Sequence, residues 1–144
     1  MIFIIVFLVL TLDQISKFFI TQNLQLNQSV PVINGIFYLT LVHNRGAAFG
    51  ILKNQVPVFI LTAVIAVALI FSALKNKKYK ATYALSLALI LAGALGNTLD
   101  RLLNGFVIDF LDFRVWPVFN VADSAITIGA VMLGWSILTE KYAS

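Results

Sequence analysis

Two aspartates stand out for what they could do together: Asp109 in "VIDF" and Asp123 in "FNVADSA". Each lies where an apolar segment meets its boundary. Two carboxylates about 4 Å apart, at an effective dielectric near 20, repel by roughly 4 kcal/mol. That repulsion amounts to roughly three pKa units. One acid then stays protonated while its partner is ionised. The ionised acid can take a proton from water, and the protonated one can hydrogen-bond a carbonyl and then donate to the leaving group. Such a pair hydrolyses an amide with no metal and no covalent intermediate.

Other chemistries are less well provided for. The chain has no cysteine and one histidine, which argues against a zinc site built from nitrogen and sulfur ligands. Thiolate chemistry and disulfides are excluded. Ser16 and Lys17 are adjacent, so on a helix they point roughly 100° apart, a poor Ser-Lys dyad. Ser124 and His43 could join an aspartate in a triad, but nothing local supports it, and His43 reads as a loop or strand residue. No basic run is interleaved with aromatics, so nucleic acid is set aside. No cofactor is expected.

Further polar residues gather around the pair. Asp13 and Lys17 are four apart and share a helical face. They are either an ion pair that holds helices together or direct members of the site. Asn97, Asp100 and Arg101 share another face, with Arg101 a fixed planar donor; a structural clamp of Arg101 with Asp13 or Asp100 is the plainer reading. Asn120 is a good helix N-cap, and Asp123 three residues on is a favourable first-turn acid, so capping alone could explain both. Asp112 reads as an ordinary solvated acid.

These residues need elements to hold them. Of 144 residues, 60% are hydrophobic and only 11% charged, with a mean hydropathy of +0.96. A soluble domain carries roughly 25% charged residues, so lipid must be the solvent for much of this chain. Four apolar segments, 2–20, 56–74, 83–103 and 121–138, each approach the ~20 residues that span a bilayer as a helix. The first lacks a basic n-region and a small-residue cleavage site, and reads as a retained helix. Between the first two, "VPVINGIFYLTLVHN" reads as two strands around an Asn34-Gly35 turn, and residues 104–120 read as a loop. The fold expected is an all-α, four-helix membrane protein in a single domain, with a small extracytoplasmic sheet between helices one and two.

Orientation follows lysine and arginine. Lys75, Lys77, Lys78 and Lys80 crowd one short loop, which places 75–80 and both termini in the cytoplasm. Asp13, Lys17, Asn97, Asp100, Arg101, Asp109, Asn120 and Asp123 then converge on the outer face from distant parts of the chain. Ionisable groups in a membrane are costly and usually functional.

The chain resembles lipoprotein signal peptidase (signal peptidase II), a family of bacterial intramembrane aspartic peptidases. "DQISK" (13–17), "NRGAAFG" (44–50), "AGALGNTLDR" (92–101), "VIDF" (107–110) and "FNVADSA" (119–125) carry the resemblance, in order and across essentially the whole chain. Ala92 stands where family members often have a glycine. The resemblance implies Asp109 and Asp123 as the catalytic pair, and Asp13, Asn44, Asn97, Asp100, Arg101 and Asn120 as lining or supporting residues. Lys17 and Gly46 lie in the same motifs, and Phe49 is a candidate substrate clamp. It implies a prolipoprotein substrate whose cysteine carries a diacylglyceryl group, cut just before that cysteine. The site would sit at the extracytoplasmic face of the bacterial cytoplasmic membrane, with membrane lipid as neighbour and a monomer sufficient.

Two other readings remain open from the residues alone. A small proton-coupled transporter would place its acids near the bilayer midplane, whereas these cluster at one edge. A non-enzymatic assembly subunit would use the aspartates only as structural ion pairs.

Overall fold

The computed structural model describes residues 2–46, 56–74 and 81–141. Four helices fall where four apolar segments were expected: α1 (Ile2–Asn23), α2 (Val56–Leu74), α3 (Ala81–Asn104) and α4 (Val121–Lys141). Among the described residues, α1, α3 and Val121–Thr139 of α4 are long and apolar enough to cross a membrane. The chain is therefore mostly helical with three candidate membrane helices, and α2, 19 residues long, packs against α3.

Burial on α1 runs opposite to that of a soluble helix. Its two buried residues are Asp13 and Lys17, while Phe3, Phe7, Leu8, Leu12 and Phe18 lie exposed. Apolar side chains outward and charges inward is the arrangement lipid selects, because an ion facing hydrocarbon has no partner.

α3 is the central helix, packing against α1, α2 and most extensively α4. Its buried face, Ala92, Gly93, Gly96, Asn97 and Asp100 among others, recurs at three- and four-residue steps and changes from small to polar toward the C-terminal end. Ile70, Leu87 and Leu91 form the apolar core lower in the bundle. Gly93 lets α4 close in: a Cβ there would collide with the Ala122 carbonyl oxygen and lie 2.7 Å from Ile126.

The sheet has three antiparallel strands in the order β1 (Ser29–Ile33), β2 (Phe37–Asn44), β3 (Val107–Asp112). The Asn34-Gly35 turn joins the first two as expected, with Gly35 at φ +78. The third strand is a correction, since it falls within the stretch read as a loop and comes from the far side of α3. Val107, Ile108, Phe110 and Leu111 suit a strand. The strand pairs Val42 with Asp109 and Tyr38 with Asp112. On its other side, Leu111 bridges Phe119.

The cluster of lysines at 75–80, on which orientation rested, and Phe49 both lie outside the described residues.

Candidate active site

Asp109 is carried on β3 and is 1% exposed. Its Oδ2 accepts from Asn44 Nδ2 at 2.9 Å and its Oδ1 from Asn120 Nδ2 at 2.7 Å. Burial pushes its carboxyl up to about 7, and the nearby Asp123 carboxylate adds to the rise. The donated amides of Asn44 and Asn120 and the charge of Lys17 pull it partly back.

Asp123 sits in the first turn of α4. The Asn120 backbone N–H donates to its Oδ2 at 3.3 Å, and Asn120 Oδ1 accepts from the Asp123 backbone N–H at 2.8 Å. This reciprocal cap satisfies helix-end donors. The capping reading of Asn120 was therefore right, but the same side chain does more. Its amide also donates to Asn97 Oδ1 at 3.1 Å and to the Ile108 carbonyl at 3.2 Å. Asn97 Nδ2 in turn donates to Asp123 Oδ1 at 2.7 Å. Asn97 and Asn120 thus join the two aspartates through their side-chain amides.

Both carboxylates open onto a cavity of about 700 Å³, also lined by Asn44, Gly46, Asn97 and Arg101, with Trp116 and Phe119 on its wall. Arg101 donates to the Gly46 carbonyl at 3.3 Å and the Asn97 carbonyl at 3.4 Å. The Gly46 backbone N–H donates to Asn44 Oδ1 at 2.9 Å.

Beneath the cavity lies a second layer. Lys17 Nζ stands 2.8 Å from Asp13 Oδ2 and 2.8 Å from Asp100 Oδ2, and it donates to Asn97 Oδ1 at 3.3 Å. Asp13 and Lys17 are an ion pair, and Lys17 clamps Asp100 as well as Asp13. Gly96 leaves room for this layer, since a Cβ there would lie 2.6 Å from Asp13 Oδ2.

Asp112 corrects the expectation of a solvated acid. It is 5% exposed, and its Oδ2 accepts from Thr40 Oγ1 at 2.7 Å across the sheet. His43 is a strand residue, stacked on Phe106 with centroids 3.9 Å apart. Burial, with Arg45 close by, lowers its pKa. The hydroxyls of Ser16 and Ser124 donate to the Asp13 and Asn120 carbonyls of their own helical turns at 2.8 and 2.9 Å.

Sequence reasoning passed over Gln14. Its Nε2 donates to Asp13 Oδ2 at 3.1 Å and Asp100 Oδ1 at 3.0 Å. The available signal was an amide beside an acid within an otherwise apolar helix.

Comparison with known proteins gives the family. The family described as signal peptidase (SPase) II matches residues 5–139. A lipoprotein signal peptidase of Moorella thermoacetica is 51% identical over 132 residues, covering 91% of this chain and 88% of its own. One from Halothermothrix orenii is 43% identical, covering 92% of each. A solved bacterial membrane enzyme superposes with a TM-score of 0.92 at 32% identity, covering 97% of this chain and 88% of that one. A second gives 0.85 at 34%, covering 95% and 92%. With the family match running nearly end to end, the chain belongs to the signal peptidase II family of membrane peptidases.

Proposed function

We propose that this chain is an aspartic endopeptidase that removes the signal peptide from diacylglyceryl-modified prolipoproteins, cutting just before the modified cysteine. Family membership supports signal-peptide removal from prolipoproteins. The observation that carries the catalytic type is the pair itself: Asp109 and Asp123 line one cavity and are joined through Asn97 and Asn120.

The pair shares one proton, a property of both acids together. A water held between them loses a proton to the ionised carboxylate as its oxygen attacks the scissile carbonyl carbon. The protonated carboxyl gives its proton to the carbonyl oxygen, and a tetrahedral diol forms. As the diol collapses, the C–N bond breaks, the leaving nitrogen takes the proton that came from water, and a diol hydroxyl returns its proton to the other carboxylate, so the pair again holds one. The products are a signal-peptide carboxyl and a free amine on the lipid-bearing cysteine. The asparagine amides orient the carboxylates, and Arg101, lining the same cavity, holds positive potential near them.

In this reading α2 is a fourth span, and the sheet and cavity occupy the extracytoplasmic face of the bacterial cytoplasmic membrane. The lipid of the substrate stays in the bilayer beside the exposed apolar helix faces, and one copy of the chain suffices. Phe49 is retained as the substrate-clamp candidate.

The test is cleavage of a diacylglyceryl-modified prolipoprotein by wild type, Asp109→Asn and Asp123→Asn, with folding of each checked by thermal unfolding. Folded, inactive variants are expected. Folded variants that cut at near wild-type rate would remove the pair assignment. A variant that only unfolds would favour a structural role.

A further inference from the structure

The reaction uses two acids delivered by different elements, and something must set the distance between them. The second layer holds the means. Asp13 Oδ1 accepts from the backbone N–H of Ala122 at 2.9 Å, the residue just before Asp123. Asp100 Oδ2 accepts from the backbone N–H of Ile108 at 3.0 Å, the residue just before Asp109. Each supporting acid therefore grips the peptide unit next to one cavity aspartate. Lys17 stands 2.8 Å from both acids, and Gln14 also donates to both.

We propose that Lys17 is a positioning residue that sets the separation of Asp109 and Asp123, by tying together the two acids that hold Ile108 and Ala122. The inference rests on the aspartic reading above and adds to it a source for the geometry.

Physical considerations favour a lysine here. Two carboxylates drawn to one ammonium are brought close together, whereas without it they would repel. Asp13, Lys17 and Asp100 are all within 2% of full burial, so the attraction is weakly screened. The ammonium is a compact charge with three donors. Here it donates to Asp13 Oδ2 and Asn97 Oδ1, and Asp100 Oδ2 stands 2.8 Å away as an ion-pair partner. The Asn97 contact ties Lys17 to the asparagine that donates to Asp123. An arginine would keep the charge but bring a larger, planar fork.

Lys17→Arg, which preserves charge, and Lys17→Met combined with Asp100→Asn, which leaves no surplus buried charge on Asp100, are the variants to make. Each is compared with wild type and Asp109→Asn for kcat, KM, the pH profile of kcat and thermal unfolding. A misplacement near 1 Å costs about 100-fold. The expected result is a folded variant with kcat reduced about 100-fold, KM within about threefold, and the two limbs of the pH profile drawn together as the carboxylates separate and repel less. A purely structural ion pair would lower stability and leave the spacing of those limbs unchanged.

A folded Lys17→Arg with wild-type kcat and pH limbs overturns the proposal. Failure of both variants to fold also overturns it, in favour of a packing role. If Asp109→Asn stays active, the aspartic reading itself has failed. If Asp109→Asn is inactive while folded Lys17 variants behave as wild type, only this inference has failed.

Discussion

Asn97 Nδ2 stands 2.7 Å from Asp123 Oδ1, and this one amide ties the α3 face to the first turn of α4. The other end of the same side chain accepts from Asn120 and Lys17. Asn97→Ala takes an acceptor from buried Lys17 and a donor from Asp123, while the two N–H groups of the Asn120 amide keep Asp109 and the Ile108 carbonyl. Unmet buried polar groups cost about 1–3 kcal/mol. We expect kcat to fall about 10- to 100-fold if that cost falls on the catalytic state. Asn97→Asp, placing a third carboxylate against the pair, should be more damaging still. Steady-state kinetics on the folded variants checks both.

Asp109 makes stability depend on pH in a definite direction. Its folded value of about 7 lies above the ordinary 3.8. Between those values the folded protein holds a proton that the unfolded chain has released. The contribution is therefore fully present at low pH and is lost as pH rises through about 7. Asp109→Asn removes it. Melting temperatures measured across that range should fall with pH more steeply in wild type than in Asp109→Asn; parallel curves would contradict the shift.

The amide of Asn44 favours the ionised form of Asp109. Removing it in Asn44→Ala should raise the Asp109 value further, because the anion loses a donor. The alkaline limb of the activity profile, where the pair loses its shared proton, should then move to higher pH. A limb that stays in place, or moves to lower pH, would show that Asn44 does not act through Asp109.

Gly96→Ala tests the fit beneath the pair. Its Cβ would lie 2.6 Å from Asp13 Oδ2, and the carboxylate would have to leave Lys17 or the Ala122 N–H. Overpacking of this kind costs about 1–3 kcal/mol. Both a lower melting temperature and a loss of activity are expected, and thermal unfolding run beside a cleavage assay separates the two.

The helices and the hairpin were legible because their signals are local. Apolar runs fix a helix in lipid, and Asn34-Gly35 marks its own turn. β3 was missed because "VIDFLD" is buried on both faces, with only Ile108 and Leu111 partly exposed, so it shows none of the alternation that marks a half-buried strand. Asp112 was read as solvated for a related reason: its hydrogen-bond partner Thr40 lies 72 residues away, and no window along the chain brings them together. The convergence of Asp13, Asn97, Asp109 and Asp123 was readable from topology. The backbone contacts of Asp13 and Asp100 were not, since they depend on how the helices pack.

The third strand has a consequence for how the protein is made. Asp109 rides on a strand that pairs with residues before α2, while Asp123 rides on a helix that packs against α3. Neither element contains both acids, and their shared asparagines come from α3 and the start of α4. A nascent chain still threading into the bilayer carries separate carboxylates with no facing partner. On the aspartic reading, a working pair therefore exists only once the strand has joined the sheet and α4 has packed on α3.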